Sequence, residues 1–350
     1  MNLEPVEKIA EAVLYEGYML YPYRPSSVKN QRRWNFGVLC PQSYCERQPG
    51  SDSWTMQTEC LVRTTASTQL TIKIRFLQIV HRYVGTLRNP GKLYPENAEP
   101  ELDPVDRLEV GGRIYQPWDE AAEREHTFTL LDAGSPAPHS PLRINFLPGK
   151  SLEYLCDEQG HAVGAIRREW QHLTASIEFE VTPTRDDVVK LTIRIANLTP
   201  MPAHTHETRE DALPFSLASA HTILAVEHGE FLSLLDPPAE FSDLAAACSN
   251  IGTWPVLAGN AAETMLSSPI ILYDHPQIAP ESAGNLFDST EIDEILSLRI
   301  LTLTDDEKRE MSRSDDRTRE ILERTENMPD EQFLKLHGVL RGLIPHKEVA

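Results

Sequence analysis

The chain has 350 residues, 40% hydrophobic and 25% charged, enough for about two globular domains with cores of their own. Its formal net charge is −20, which excludes general attraction to phosphate backbones and anionic lipid, so no nucleic-acid binding is expected. The imbalance is one-sided: residues 1–90 hold 11 basic and 7 acidic side chains, whereas residues 91–350 hold 22 and 46.

Leu3, Val6, Ile9, Ala10, Val13 and Leu14 recur at helical spacing and predict a short amphipathic helix. Glu4, Glu7 and Glu11 break any apolar run there, so no secretory leader is expected. Pro22 and Pro25 stop the helix within a tyrosine-rich stretch, and Arg24, Lys29, Arg32 and Arg33 form a basic loop ahead of Trp34. From about Trp54 the period changes to two. Leu70, Ile72, Ile74 and Phe76 alternate with Thr71, Lys73 and Arg75, as in a half-buried strand. Leu173–Val181 and Val189–Ile195 repeat the pattern on either side of a hairpin-length break at Pro183–Asp187. Strands with one polar face predict an antiparallel sheet. The Pro- and acid-rich stretch Asn89–Asp106 reads as a long loop.

Beyond Pro200, His221–Val226 and Glu230–Leu235 flank His228-Gly229 as a second hairpin. Phe241, Leu244, Ala245 and Cys248 suggest a helix ended by Asn250 and Gly252, and Ser268–Tyr273 a short strand. Leu244–Ala262 is uncharged, but Ser249, Asn250, Gly252, Pro255 and Asn260 interrupt it, so no membrane insertion is expected. Thr304-Asp305-Asp306-Glu307 has capping-box form and opens a charged helix to about Glu326, and a last helix begins at Pro329.

Residues 201–280 hold ten acids, one basic residue and five histidines. His204 and His206, at i and i+2, point the same way in an extended segment, so they could share a divalent ion with Glu207, His221, Asp236 or Asp274. The bland alternative, solvated or capping histidines, stays open. His206-Glu207-Thr208-Arg209-Glu210 lacks the second histidine of the HExxH zinc motif. Cys40 and Cys45 form a C-x4-C pair that reads as structural thiols. Tyr21, Tyr23, Arg24, Arg32, Arg33 and Trp34 suit either a partner-binding patch or an amphipathic wrap over the sheet. There is no GxSxG elbow, phosphate-binding glycine loop or CxxC pair, so no catalytic residue is assigned and no cofactor beyond that possible divalent metal is expected.

Several strings together carry a resemblance. They are Tyr15-Glu16-Gly17-Tyr18, Leu20 to Ser26, Ser233 to Pro238, Gly252 to Leu257, Ser267 to Asp274 and Leu286 to Leu296. They resemble bacterial proteins encoded beside nickel–iron hydrogenase structural and maturation genes. The resemblance implies a pathway, with a hydrogenase subunit or maturation factor as partner, and assigns no residue a role.

The expected fold is α+β. Its parts are an N-terminal helix and Tyr/Pro-rich segment (1–26), an antiparallel β-sandwich-like body (27–200), a mixed α/β region (201–303) and C-terminal helices (304–350). The expected function is an accessory or assembly protein of a hydrogenase system acting through protein–protein binding. The alternative is a metal-dependent enzyme or metal carrier using the histidine-rich segment 204–275. Five cysteines, an odd number, form no disulfide framework, so a cytoplasmic protein with reduced thiols is expected. Thiol titration after denaturation, on protein purified without reductant, is expected to find all five; a lower count would contradict this.

Overall fold

The computed structural model describes residues 3–14, 36–50, 52–90, 100–130, 141–185, 187–202, 208–259, 261–277, 300–312 and 316–329. Two helices, α1 (Glu4–Leu14) and α2 (Gln42–Arg47), precede a 33-residue strand, β1 (Thr55–Leu87). Then come β2 (Leu102–Pro104), β3 (Leu108–Val110), β4 (Arg113–Tyr115), β5 (Trp118–Leu130) and β6 (Leu142–Phe146). β7 (Gly149–Cys156), β8 (Ala162–Trp170), β9 (Leu173–Pro183) and β10 (Val188–Asn197) complete the first 200 residues. After α3 (Arg209–Ala212) the chain forms β11 (Ala218–Leu232), α4 (Ser242–Ala246), β12 (Trp254–Leu257) and β13 (Thr264–Ser268). It continues with α5 (Asp305–Ser312) and α6 (Asp316–Glu326).

β1 organises all of this. Its length comes from a long β-branched and alternating run with no proline and no glycine before Gly85. Fully extended it would reach about 110 Å at roughly 3.3 Å per residue. It is relieved by an irregularity between Thr64 and Gln69, where its register with β11 shifts. Along one side it pairs in turn with β10, β5 and β2, and along the other with β11 and β8, always antiparallel. The main path of the sheet runs β12-β13-β11-β1-β10-β9-β6, with β7 added through β8. The antiparallel, mostly β architecture with few helices is the expected α+β class.

The sheet closes on an apolar interior built from inward residues of β1, β6, β9, β10, β11 and β13. Phe128 of β5 meets Phe179 of β9 edge-on at 5.2 Å, and Phe76 of β1 meets Phe146 of β6 at 5.1 Å. These pairs bring the β5 half of the sheet over the β9–β6 half, as in a sandwich. α1 docks Val6, Ile9, Ala10 and Val13 on Ile223, Ala258 and Leu266.

Several sequence expectations need correction. β11 joins β1 over Leu61–Leu77, so one sheet spans residue 200, where the body and the mixed region were expected to separate. No hairpin forms at His228-Gly229. His228 takes φ +56, its carbonyl accepts from Thr65 Oγ1 (2.9 Å) and Thr68 Oγ1 (2.7 Å), and the strand continues through the bulge. Gly229 is required there, because a Cβ would lie 2.6 Å from the Arg63 carbonyl oxygen. The short strand expected at Ser268–Tyr273 ends instead at Ser268, before Pro269, leaving Ile271 and Tyr273 exposed. The Asn89–Asp106 stretch contains β2. The capping box does form: Thr304 N–H donates to Glu307 Oε2 at 2.7 Å, and Glu307 N–H to Thr304 Oγ1 at 3.4 Å. Of the helix expected from Pro329, everything after Pro329 lies outside the described residues.

The outer face of the first half-sheet is only partly covered. Phe241 and Ala245 pack with Leu61, Val188 and Leu232. Beyond α4, buried Glu59 of β1 pins the following loop. Its carboxylate accepts from Ser249 N–H (2.8 Å), Thr192 Oγ1 (3.2 Å) and Lys190 Nζ (3.2 Å). Its backbone N–H donates to Asn250 Oδ1 at 2.7 Å. Gln57 continues the clasp through reciprocal backbone bonds with Ile251, at 3.0 and 2.9 Å.

Burial pushes the Glu59 carboxyl up, but the Ser249 N–H and then the Lys190 ammonium outweigh it and hold it below its ordinary 4.5. A lowered folded value gives stability that is complete above the ordinary value and lost as pH falls through the folded one. Glu59→Gln is therefore expected to reduce unfolding free energy at pH 7 by about 1–3 kcal/mol, the scale of a charge-assisted bond. Urea titrations at pH 7 and pH 3 should show that deficit shrinking at the lower pH. An equal deficit at both would contradict the carboxylate's role.

Candidate functional site

Where the Glu59-pinned loop stops, no described residue covers the outer face of the sheet, which forms a cleft of about 500 Å³. Its floor follows from strand register. Thr55 lies opposite Ala196, Ala196 opposite Ser176, and Ser176 opposite Arg143, so one cross-strand row carries three small side chains and ends in an arginine. The adjacent row runs Gln57, Arg194 and Glu178. Trp54 and Leu198 line the cleft at the Thr55–Ala196 end, and Ile251, 52% exposed, stands beside Gln57.

The polar groups are arranged unevenly. Arg194 is engaged: its Nε donates to Gln57 Oε1 at 2.7 Å and its guanidinium lies 3.4 Å from Glu180. Arg143 and Glu178 line the cleft, exposed and without an ion-pair partner among the described residues. A small-residue floor, apolar walls and an uncommitted guanidinium suit an apolar group that carries a carboxylate beside it.

The residues singled out in the sequence lie elsewhere. His204, His206 and Glu207 fall outside the described residues, as do Tyr21, Tyr23, Arg24, Arg32, Arg33 and Trp34. His221 sits near the start of β11, and Asp236 lies beyond that strand's far end. At about 3.3 Å per residue the strand between them covers roughly 30 Å, so the two are not brought together. Asp274 serves the fold, accepting from Ser233 Oγ (2.5 Å) and Leu257 N–H (2.7 Å). Among the described residues no group of three or more His, Cys, Asp or Glu could hold a metal ion. Cys40 and Cys45 are both buried in one apolar cluster, and burial pushes their thiols up to about 12 and about 11.

His221 is fully buried. Its Nδ1 lies 2.7 Å from the Ser219 carbonyl, which can only accept, so Nδ1 carries the proton and Nε2 accepts from Ser268 Oγ at 3.2 Å. Burial lowers its pKa to about 4 against the pull of the Ser219 carbonyl, and the Arg75 guanidinium adds to the lowering. The sequence had no means of separating this structural imidazole from a ligand. Because the folded value is lowered, stability is complete above the ordinary 6.5 and lost as pH falls toward about 4. The full loss is about 3 kcal/mol. An NMR titration of the ring should find it neutral at pH 5, and a midpoint near 6.5 would contradict this.

Compared with known protein families and with curated proteins, the chain finds no match. Among solved structures it is similar to the secretin InvG of the Salmonella SPI-1 type III secretion injectisome (residues 176 to the end, open gate state). The two are 11% identical over 53% of this chain and 48% of that one, with a TM-score of 0.14. The chain thus spans about half of that secretin fragment, and a likeness this slight carries no argument about fold or function.

Proposed function

We propose that the protein is an accessory or assembly factor of a nickel–iron hydrogenase system that binds a hydrogenase subunit or maturation factor. The resemblance of its sequence strings supplies the pathway. The observation that supports binding is the cleft, a concave apolar surface on a rigid sheet face with an uncommitted Arg143 at its rim. The N-terminal Tyr21, Tyr23, Arg24, Arg32, Arg33 and Trp34 belong to this proposal as a second contact of aromatic and basic character.

The test is capture from native lysate of a bacterium that makes the hydrogenase, with the captured proteins identified by mass spectrometry. The wild-type chain is expected to retain a hydrogenase subunit or maturation factor. Ile251→Asp replaces an exposed side chain and should leave the circular dichroism unchanged. It should weaken capture about tenfold or more, since desolvating an apolar side chain of this size is worth roughly 1.5–3 kcal/mol. Equal capture by both proteins, or capture of neither hydrogenase class, would overturn the reading.

A further inference from the structure

The cleft reaches β6 through Pro141 and Arg143, and β6 is where the main path of the sheet ends. Among the described residues that strand pairs with β9 alone. Among the described residues no other backbone hydrogen bond reaches Leu142–Phe146. Its inward side chains are committed, with Ile144 in the core and Leu142 and Phe146 packed against it. On the outward side, Asn145 Oδ1 accepts a hydrogen bond from Thr174 Oγ1 at 2.9 Å, and the Arg143 guanidinium donates none among the described residues. Pro141 and Pro148 bracket the strand.

An unpaired edge is a template for another strand, and proteins guard such edges by keeping them short, flanking them with proline and placing a cation on them. β6 carries all three devices, and the only charge on the strand is Arg143. A lone cation on an edge is a selective guard. It opposes a strand with a cation at the facing position and favours one with a carboxylate there, because directly opposed charges couple across a ladder. The same guanidinium lines the cleft. Edge and cleft therefore meet at one residue.

From this juxtaposition we propose that the partner is recognised by strand addition. An extended segment of the partner pairs antiparallel with β6 and sets an Asp or Glu opposite Arg143. An apolar side chain two positions along lies on the same face, toward the cleft. The inference rests on the reading that the cleft takes a partner, since Arg143 belongs to both. A second copy of this chain is the less suitable occupant, because each copy brings a net charge of −20.

The test uses the full chain with the blocked peptide acetyl-Thr-Val-Thr-Glu-Thr-Phe-Thr-amide, and its counterpart with lysine in place of glutamate. Hydrogen exchange is read across β6. With the peptide at about twice its dissociation constant, exchange of the β6 amides should slow about threefold. The lysine peptide should leave it unchanged. In Arg143→Glu the preference should reverse. Absence of protection overturns the proposal, as does equal protection by both peptides. Protection that rises with protein concentration and needs no peptide overturns it in favour of self-pairing. If Arg143→Glu loses its native circular dichroism, the two peptides on the wild-type chain still decide. Lack of β6 protection while Ile251→Asp still releases the hydrogenase partner removes strand addition and leaves the cleft reading standing.

Discussion

The pairing of one strand with five others is the constraint on which this structure depends. β1 spans 33 residues and is flanked successively by β10, β5 and β2 on one side and by β11 and β8 on the other. Each neighbour takes its register from a different part of the same strand, so the positions of elements far apart in sequence are fixed against each other through β1. The irregularity at Thr64–Gln69 is the hinge of that arrangement. It lies where β1 passes from β10 to β5, and Thr65 and Thr68 tie it to the His228 carbonyl of β11.

The cleft is a consequence of incomplete cover. An outward sheet face needs either polar side chains or an overlying layer. Here α4 and the loop after it supply the layer over Leu61 and Val188, and the clasp of Glu59 and Gln57 fixes where the loop runs. Beyond Ile251 no described residue covers the face, and Thr55, Ala196 and Ser176 are too small to fill it. A buried carboxylate at the margin therefore positions one wall of the cleft.

How much was legible in the sequence follows from which physical signals strands carry. The β9–β10 hairpin and the central part of β1 announce themselves, because one face is apolar and the other polar at period two. β5 does not. Trp118–Leu130 carries four acids and a single arginine, and cross-strand ion pairs hold it to β1: Glu123 with Arg75, Glu125 with Lys73 at 3.6 Å, and Glu120 with Arg82 at 3.1 Å. Such a strand is stabilised by partners some 40 to 50 residues away and leaves no local periodicity. The same limit explains the site. Thr55, Ala196, Ser176 and Arg143 are unremarkable side chains until register places them in one row. The resemblance to proteins encoded beside hydrogenase genes, on which the proposed pathway rests, carries no geometry.

The central claim is that the bare sheet face between Trp54 and Ile251 is the surface that meets a hydrogenase partner. Site-specific photo-cross-linking in cells addresses it directly, with benzoylphenylalanine placed at Trp54 or Ile251 and, as control, at Leu235, exposed on the loop beyond β11 and not part of the cleft lining. The account predicts adducts with a hydrogenase subunit or maturation factor from the two cleft positions and none from the control. Adducts from Leu235 alone, or from no position while the protein remains folded, would contradict it.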